Sequence, residues 1–299
     1  MIKKLKYNEI DFNKYKKCLE NSVQNSDYAD RKFLDIVSDK KWFLLVYNDY
    51  EAVMPVSFVV KLGIKIVLMP KLCQQLGVFS KEDNKEINTL FLEFLEKNFL
   101  VLFYAFNGDN QFHKNLKTKT SYILKKNNYE EVKKNYSVHR RRNVRIIGEL
   151  IDNINIRKSL IESDSEFIIK NMKGTKKPKD NHDYFKLFTK LIQEKIGLVR
   201  IFEFKNTTQS MVYLFEGKRN FYLSLFINNF PVINTNFPSI MIDQCLQELI
   251  SEKNFDFMGS EVENVAKFNE RFGAELYQYP VIEKTKQEVL KKILQLRFI

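Results

Sequence analysis

The stretch from Asn254 to Pro280, NFDFMGSEVENVAKFNERFGAELYQYP, constrains the fold of this chain more than any other. Phe255-Asp256-Phe257-Met258 is short and apolar-aromatic, the pattern of a buried strand. Gly259-Ser260 breaks the run. Glu261-Val262-Glu263-Asn264 then opens an amphipathic helix whose stripe is Val262, Ala266, Phe268 and Phe272. Gly273 stands where a glycine that ends a helix belongs, and Leu276 to Ile282 predicts the returning strand. Such a unit leaves backbone amides and small polar groups at one strand end, where open α/β sheets bind ligands. Gly259, Ser260 and Asn264 are therefore candidate ligand contacts. The competing reading is a glycine that only eases a tight turn.

The elements before this unit alternate in kind. Asp11 to Ser22 and Arg31 to Ser38 have helical periodicity. Trp42–Tyr47, Glu51–Val60 and Ile64–Met69 predict a meander of three strands, turned at Asn48-Asp49 and Leu62-Gly63. Pro55 inside the second of these predicts an edge or a bulge, because proline has no N–H for a ladder. In the loop Lys71 to Ser80, Gln74 and Gln75 precede Gly77. Paired amides both donate and accept, so they can orient a polar ligand or cap neighbouring backbone. Asn84–Asn98 predicts a helix, Phe99–Phe106 a buried strand and Thr120–Leu124 another, closing a first unit near residue 130.

Tyr129 to Ile151 is a bridge with a basic centre, Asn135-Tyr136-Ser137-Val138-His139-Arg140-Arg141-Arg142-Asn143-Val144-Arg145. Adjacent helical residues turn by about 100°, so the three consecutive arginines cannot all meet one ligand. Arg141 and Arg145 share a face, with Ser137 one turn earlier, and could hold a phosphate by bidentate contacts. The alternative is a solvated helix whose arginines pair with nearby acids. Beyond it come helices at Ser165–Met172 and Tyr184–Ile196, then strands at Leu198–Phe204, Gln209–Phe215 and Phe221–Ile227. Asn228 to Ser239, NNFPVINTNFPS, leads into a helix at Ile240–Ser251, where Asn234, Asn236 and Ser239 can cap the helix and donate hydrogen bonds. Thr285 to Phe298 is a closing basic helix.

An Asp-Phe-x-Gly-Ser strand end, a helix closing near Phe-Gly-Ala and a Tyr-rich strand resemble the C-terminal half of GNAT-fold acyltransferases. The likeness is strongest to the tandem-GNAT group that includes the Fem-type peptidyltransferases and related bacterial proteins. The resemblance implies an α+β fold of two tandem GNAT-like domains, each a central mixed β-sheet flanked by helices. They would span residues 1–130 and 131–299, with an interdomain helix at about 131–151. The run Tyr136-Ser137 to Arg141-Arg142-Asn143 resembles the segment that borders the substrate channel in Fem-type proteins. A Pro-x-x-x-Gln-Gln-x-Gly segment like Pro70 to Gly77 also recurs there, which gives Gln74 and Gln75 a ligand role. One departure bears on the donor. GNAT enzymes carry a Gly-rich turn that cradles the pyrophosphate of acetyl-CoA at a helix N-terminus, whereas this chain has no glycine between Gly217 and Gly259.

The implied chemistry is transfer of an acyl or aminoacyl group from acyl-CoA or aminoacyl-tRNA to an amine acceptor. It requires alignment of amine and carbonyl, oxyanion stabilisation and one proton acceptor. Asp256, Glu261, Tyr104 and Tyr279 are the candidates for that acceptor. A non-catalytic GNAT-like binding or scaffold module is the alternative, and a nucleic-acid-binding protein is a third reading that rests on charge. Net charge is +12, from 49 basic and 37 acidic residues, which favours anionic partners. Three scattered cysteines and three histidines predict neither a disulfide framework nor a metal site. No tightly bound cofactor is expected. With no secretory leader and no apolar run near the roughly 20 residues of a membrane helix, the expectation is a cytoplasmic protein without an integral membrane segment.

Overall fold

The computed structural model describes residues 1–24, 27–145, 154–173, 178–204, 207–229, 236–259 and 262–297. It is α+β, and the chain divides into two compact units, Met1–Thr120 with Gln278–Ile299, and Ser121–Tyr277. The resemblance implied a second domain running to residue 299, whereas Gln278–Ile299 cluster with the first unit. Among the described residues, no helix is long and apolar enough to cross a membrane.

The first unit opens with β1 (Ile2–Leu5), then α1 (Phe12–Asn21) and α2 (Arg31–Ser38). Each helix starts on an aspartate. Asp11 accepts the N–H groups of Asn13 and Lys14, and Asp30 those of Lys32 and Phe33, satisfying donors that the first turn leaves free. β2 (Trp42–Tyr47), β3 (Ala52–Lys61) and β4 (Ile64–Leu68) form the expected antiparallel meander. β1 lies antiparallel on β2, an edge strand too short and lysine-rich to show a pattern. β5 (Phe79–Ser80) pairs with the start of β3. Pro55 lies opposite Leu44 of β2, in a stretch of β3 between the β5 and β4 pairings, so its missing N–H interrupts no ladder. α3 (Lys85–Asn98), capped by Asn84, then carries the chain to β6 (Leu100–Ala105), which runs parallel to β4.

β7 (Lys117–Leu124) leads into the second unit, where the bridge is not one helix. α4 (Tyr129–Lys134) and α5 (Val138–Arg145) are separated by Asn135-Tyr136-Ser137, and 146–153 lie outside the described residues. The Ser137 N–H donates to the Arg271 carbonyl at 2.9 Å. Gly273 has φ +78° there, and a Cβ on it would meet the Asn135 carbonyl oxygen at 2.8 Å, so this position requires glycine. β8 (Ile154–Arg157), α6 (Asp164–Asn171) and α7 (Pro178–Gln193) precede the antiparallel β9 (Gly197–Phe204), β10 (Thr207–Glu216) and β11 (Asn220–Asn228). α8 (Phe237–Leu249) then returns the chain to β12 (Asn254–Asp256), parallel to β11.

α9 (Glu263–Glu270), β13 (Glu275–Glu283) and α10 (Lys286–Arg297) complete the chain. Val262, expected in the inward stripe of α9, is exposed, and the helix packs by Ala266 and Phe268 instead. The two units repeat one plan. In each, an antiparallel meander is followed by a helix and a strand parallel to the meander's last one. In the first unit β13, from the far end of the chain, then pairs antiparallel with β6; in the second, β7 does the same with β12.

Candidate functional site

In the second unit β11 and β12 stay paired for three positions only, ending at Tyr222 with Asp256. β11 continues to Asn228, while β12 stops and Met258 and Gly259 turn away with left-handed φ of 56° and 58°. That conformation is unfavourable for methionine, and Asp256 braces it by accepting the Met258 N–H at 2.7 Å. The same carboxylate accepts the Ser121 hydroxyl at 3.0 Å and the Tyr277 hydroxyl at 2.8 Å. Asp256 is 2% exposed, and burial pushes its pKa up to about 6 against the pull of Tyr277, Met258 and Ser121. Such a carboxylate is mostly ionised at neutral pH and still accepts a proton readily.

A buried cation lies in the same unit. Val132, Tyr136, Arg140 and Val144 recur every four residues and are all buried, so Arg140, not Arg141 or Arg145, points inward from the basic run. Its guanidinium, 1% exposed, donates to the Ser239 hydroxyl in the first turn of α8 and, at 2.9 Å, to the Phe268 carbonyl. The rings of Phe268 and Phe272 lie 4.3 and 4.0 Å away. Its Nε has no partner. Among the described residues no carboxylate forms an ion pair with it. Burial, helped by the charge of Arg271, lowers its pKa to about 10, while Tyr136 and Asp243 oppose the shift. A cation at a helix N-terminus also faces the positive end of the helix dipole. The arrangement concentrates positive potential, offset at a distance by the Asp243 carboxylate. One turn along α8, buried Asp243 accepts the Tyr129 hydroxyl at 3.0 Å on each oxygen, and burial holds its pKa up.

The other expected residues divide. Asn234, Ser260 and Glu261 lie outside the described residues. Asn236 is at the N-cap of α8; its side chain makes no cap bond, and its carbonyl accepts from Ser239 and Ile240. Asn264 is exposed in the first turn of α9. Ser137 caps α5 by accepting the Arg140 N–H at 3.1 Å. Arg141 donates to the Lys134 carbonyl at the end of α4 at 3.1 Å, while Arg145 is exposed.

In the first unit Tyr104 is no proton acceptor. It is fully buried, its hydroxyl donates to the Pro55 carbonyl at 2.9 Å and accepts the Gly77 N–H at 3.0 Å, and burial holds its pKa well above the usual value. Tyr279, in β13, is buried as well. Gln74 and Gln75 belong to a packed amide network. Gln75 donates to the Gln74 side chain at 3.2 Å and accepts the Gly108 N–H at 3.3 Å. The Leu76 N–H donates to the Ala105 carbonyl at 2.9 Å, which seats this loop beside the end of β6. The residues that sequence reasoning missed are Arg140, Ser121, Tyr277 and Asp243. For Arg140 the signal was present, as one polar member of an otherwise apolar four-residue repeat.

No family model and no curated protein matches the sequence. Solved structures do match over nearly the whole chain. FemX aligns over 97% of this chain and 99% of its own, with a TM-score of 0.66 at 12% identity. A tandem GNAT protein from the clavulanic acid biosynthesis pathway aligns over 94% and 97%, with a TM-score of 0.55 at 7% identity. L-PGS from Bacillus licheniformis aligns over 97% and 96%, with a TM-score of 0.50 at 11% identity. With the repeated plan of its two units, this end-to-end likeness gives the chain the tandem GNAT fold.

Proposed function

We propose that this protein is an N-acyltransferase that moves an acyl or aminoacyl group from a phosphate-bearing donor, acyl-CoA or aminoacyl-tRNA, to an amine. The observation that carries the reading is the early end of the β11–β12 pairing, with a buried carboxylate of raised pKa at its last position. Arg140, buried at the first turn of α8 with no ion pair among the described residues, supports a donor that brings a phosphate. In this reading the acceptor amine attacks the acyl carbonyl and the thiol or ribose hydroxyl of the donor leaves. Asp256 is sealed, so it would take the amine proton through the partly exposed Tyr277 hydroxyl that donates to it. Asp256 is then a positioning group and proton sink, and Tyr277 the group that meets substrate. The α8 entry uses an arginine and a serine where the resembled enzymes use glycine amides, which favours aminoacyl-tRNA over acetyl-CoA.

Thermal unfolding with acetyl-CoA, longer acyl-CoAs, free CoA and aminoacyl-tRNA tests this. A ligand at about 100 times its Kd adds roughly 2.7 kcal/mol of stability. We expect a saturable shift with aminoacyl-tRNA that Arg140→Met abolishes, followed by transfer to an amine that Tyr277→Phe slows. No shift with any donor, or an equal shift in Arg140→Met, overturns the reading and leaves the non-catalytic binding module.

A further inference from the structure

β3 and β4 run on past the strands that flank them. β3 pairs with β2 as far as Ser57, and β4 meets β6 from Ile66 onward. Between these points, Val60-Lys61 and Ile64-Lys65 have, among the described residues, only each other as strand partners. A two-stranded ribbon is marginal in water, and a solvated strand pair normally turns one polar face outward. This ribbon has no such face. It reads Phe58-Val59-Val60-Lys61-Leu62-Gly63-Ile64-Lys65-Ile66. Directly opposed residues share a face, so Val60 lies beside Lys65 on one side and Ile64 beside Lys61 on the other. The turn has left-handed φ at Leu62 (49°) and Gly63 (76°), and it leaves Leu62 100% and Val60 51% exposed.

The only charges in the ribbon are exposed lysines, Lys61 and Lys65. Lys65 Nζ lies 4.8 Å above the Phe58 ring, and Lys4 of β1 holds its Nζ 4.8 Å above Phe43 and 5.1 Å above Phe99. The charges of Lys65 and Lys6 both bear on Lys4. Glu9, 4.0 Å from Lys6, is an acid that offsets these lysines in part. Single exposed aliphatic residues need no explanation, but an aliphatic tip with lysines on both flanks is a coherent surface.

We propose that the β3–β4 ribbon is a peripheral membrane-docking element that inserts Leu62 and Val60 into the edge of an anionic bilayer while Lys4, Lys61 and Lys65 meet lipid phosphates. A bilayer surrounds an inserted tip, whereas a flat protein partner covers one face of a ribbon. Nucleic acid would use the lysines and aromatic stacking, and gives an aliphatic tip nothing to contact. The proposal is independent of the acyl-transfer reading.

The test is co-sedimentation of the full chain with vesicles of phosphatidylcholine, with and without phosphatidylglycerol. Binding is expected only with phosphatidylglycerol and is expected to weaken with salt. Lys61→Ser and Lys65→Ser should each weaken it about fivefold. Leu62→Asn, which suits a left-handed turn, should release the protein, and Leu62→Trp should show a blue-shifted emission on adding vesicles. No binding to phosphatidylglycerol vesicles, or equal binding by Leu62→Asn, overturns the proposal. Displacement from vesicles by tRNA with no effect of Leu62→Asn transfers the surface to nucleic acid. A dimer in solution that Leu62→Asn dissociates, without vesicle binding, assigns the ribbon to a second copy of the chain.

Discussion

Asp256 and Arg140 are opposite charges that the second unit buries by different means. Asp256 keeps three donors, and its pKa of about 6 lies above the roughly 3.9 of an unfolded aspartate. Its contribution therefore favours folding fully below about pH 4 and is lost as the pH rises through about 6, a change of about 3 kcal/mol. Asp256→Asn removes this component. Urea denaturation across that range should show the variant gaining on the wild type as pH rises, and a constant difference would refute the assignment. Arg140 keeps two hydrogen bonds and two aromatic rings and, among the described residues, makes no ion pair. Burial disfavours the Arg140 charge, as its lowered pKa shows, and an apolar side chain of similar volume removes that desolvation cost. Arg140→Met should therefore leave the midpoint of urea unfolding equal or higher while donor binding is lost, a pairing that a purely structural arginine does not produce.

The loop between β4 and α3 shows why an amide-rich stretch reads ambiguously. Gly77 has φ +111°, and a Cβ there would lie 2.3 Å from Asn110 Oδ1 and 2.6 Å from the Asn107 nitrogen. Asn110 in turn bonds both the N–H and the carbonyl of Val78, and Asp83 accepts from Gln24, Asn88 and Asn110. Gln74 and Gln75 belong to this buried lattice, which ties four separate chain segments together. Gly77→Ala combines backbone strain with steric overlap and should cost about 3 kcal/mol or more by chemical denaturation. A helix cap is a smaller matter. Asp11→Ala removes one side chain that accepts two N–H groups of α1 and should cost about 1 kcal/mol.

At the scale of the whole molecule, the first unit is built from both ends of the chain. Val281, Ile282 and Val289 are buried in it, and β13 pairs with β6 through Val281–Ala105 and Ile282–Tyr104. The single tryptophan, Trp42, is buried in β2 of that unit. A chain ending at Tyr277 should lose the cooperative unfolding transition seen by Trp42 fluorescence, and an unchanged transition would show that the C-terminal segment is dispensable. The three cysteines are buried, with the Cys18 thiol pushed up to about 11 and Cys245 to about 12. Thiol reagents near neutral pH should therefore label the chain only as fast as it unfolds.

Local pattern was enough for most elements. α2 and β2 lie where periodicity predicted them, the helix caps fall on Asp11, Asp30 and Asn84, and the short turn at Met258–Gly259 follows a short apolar strand. These depend on neighbours a few residues apart, whereas the α+β class came from the family resemblance and is the class the structure has. What the sequence alone left undecided was which polar side chains go inside. The four-residue repeat singles out Arg140 among the adjacent arginines, but its partners, Ser239 and the Phe268 carbonyl, lie 99 and 128 residues away. Ser121 and Tyr277 meet Asp256 across 135 and 21 residues of sequence, so no local window contains the site. Burial raises a carboxylate's pKa and lowers an arginine's only after distant strands and helices have excluded water, and that is a property of the tertiary structure.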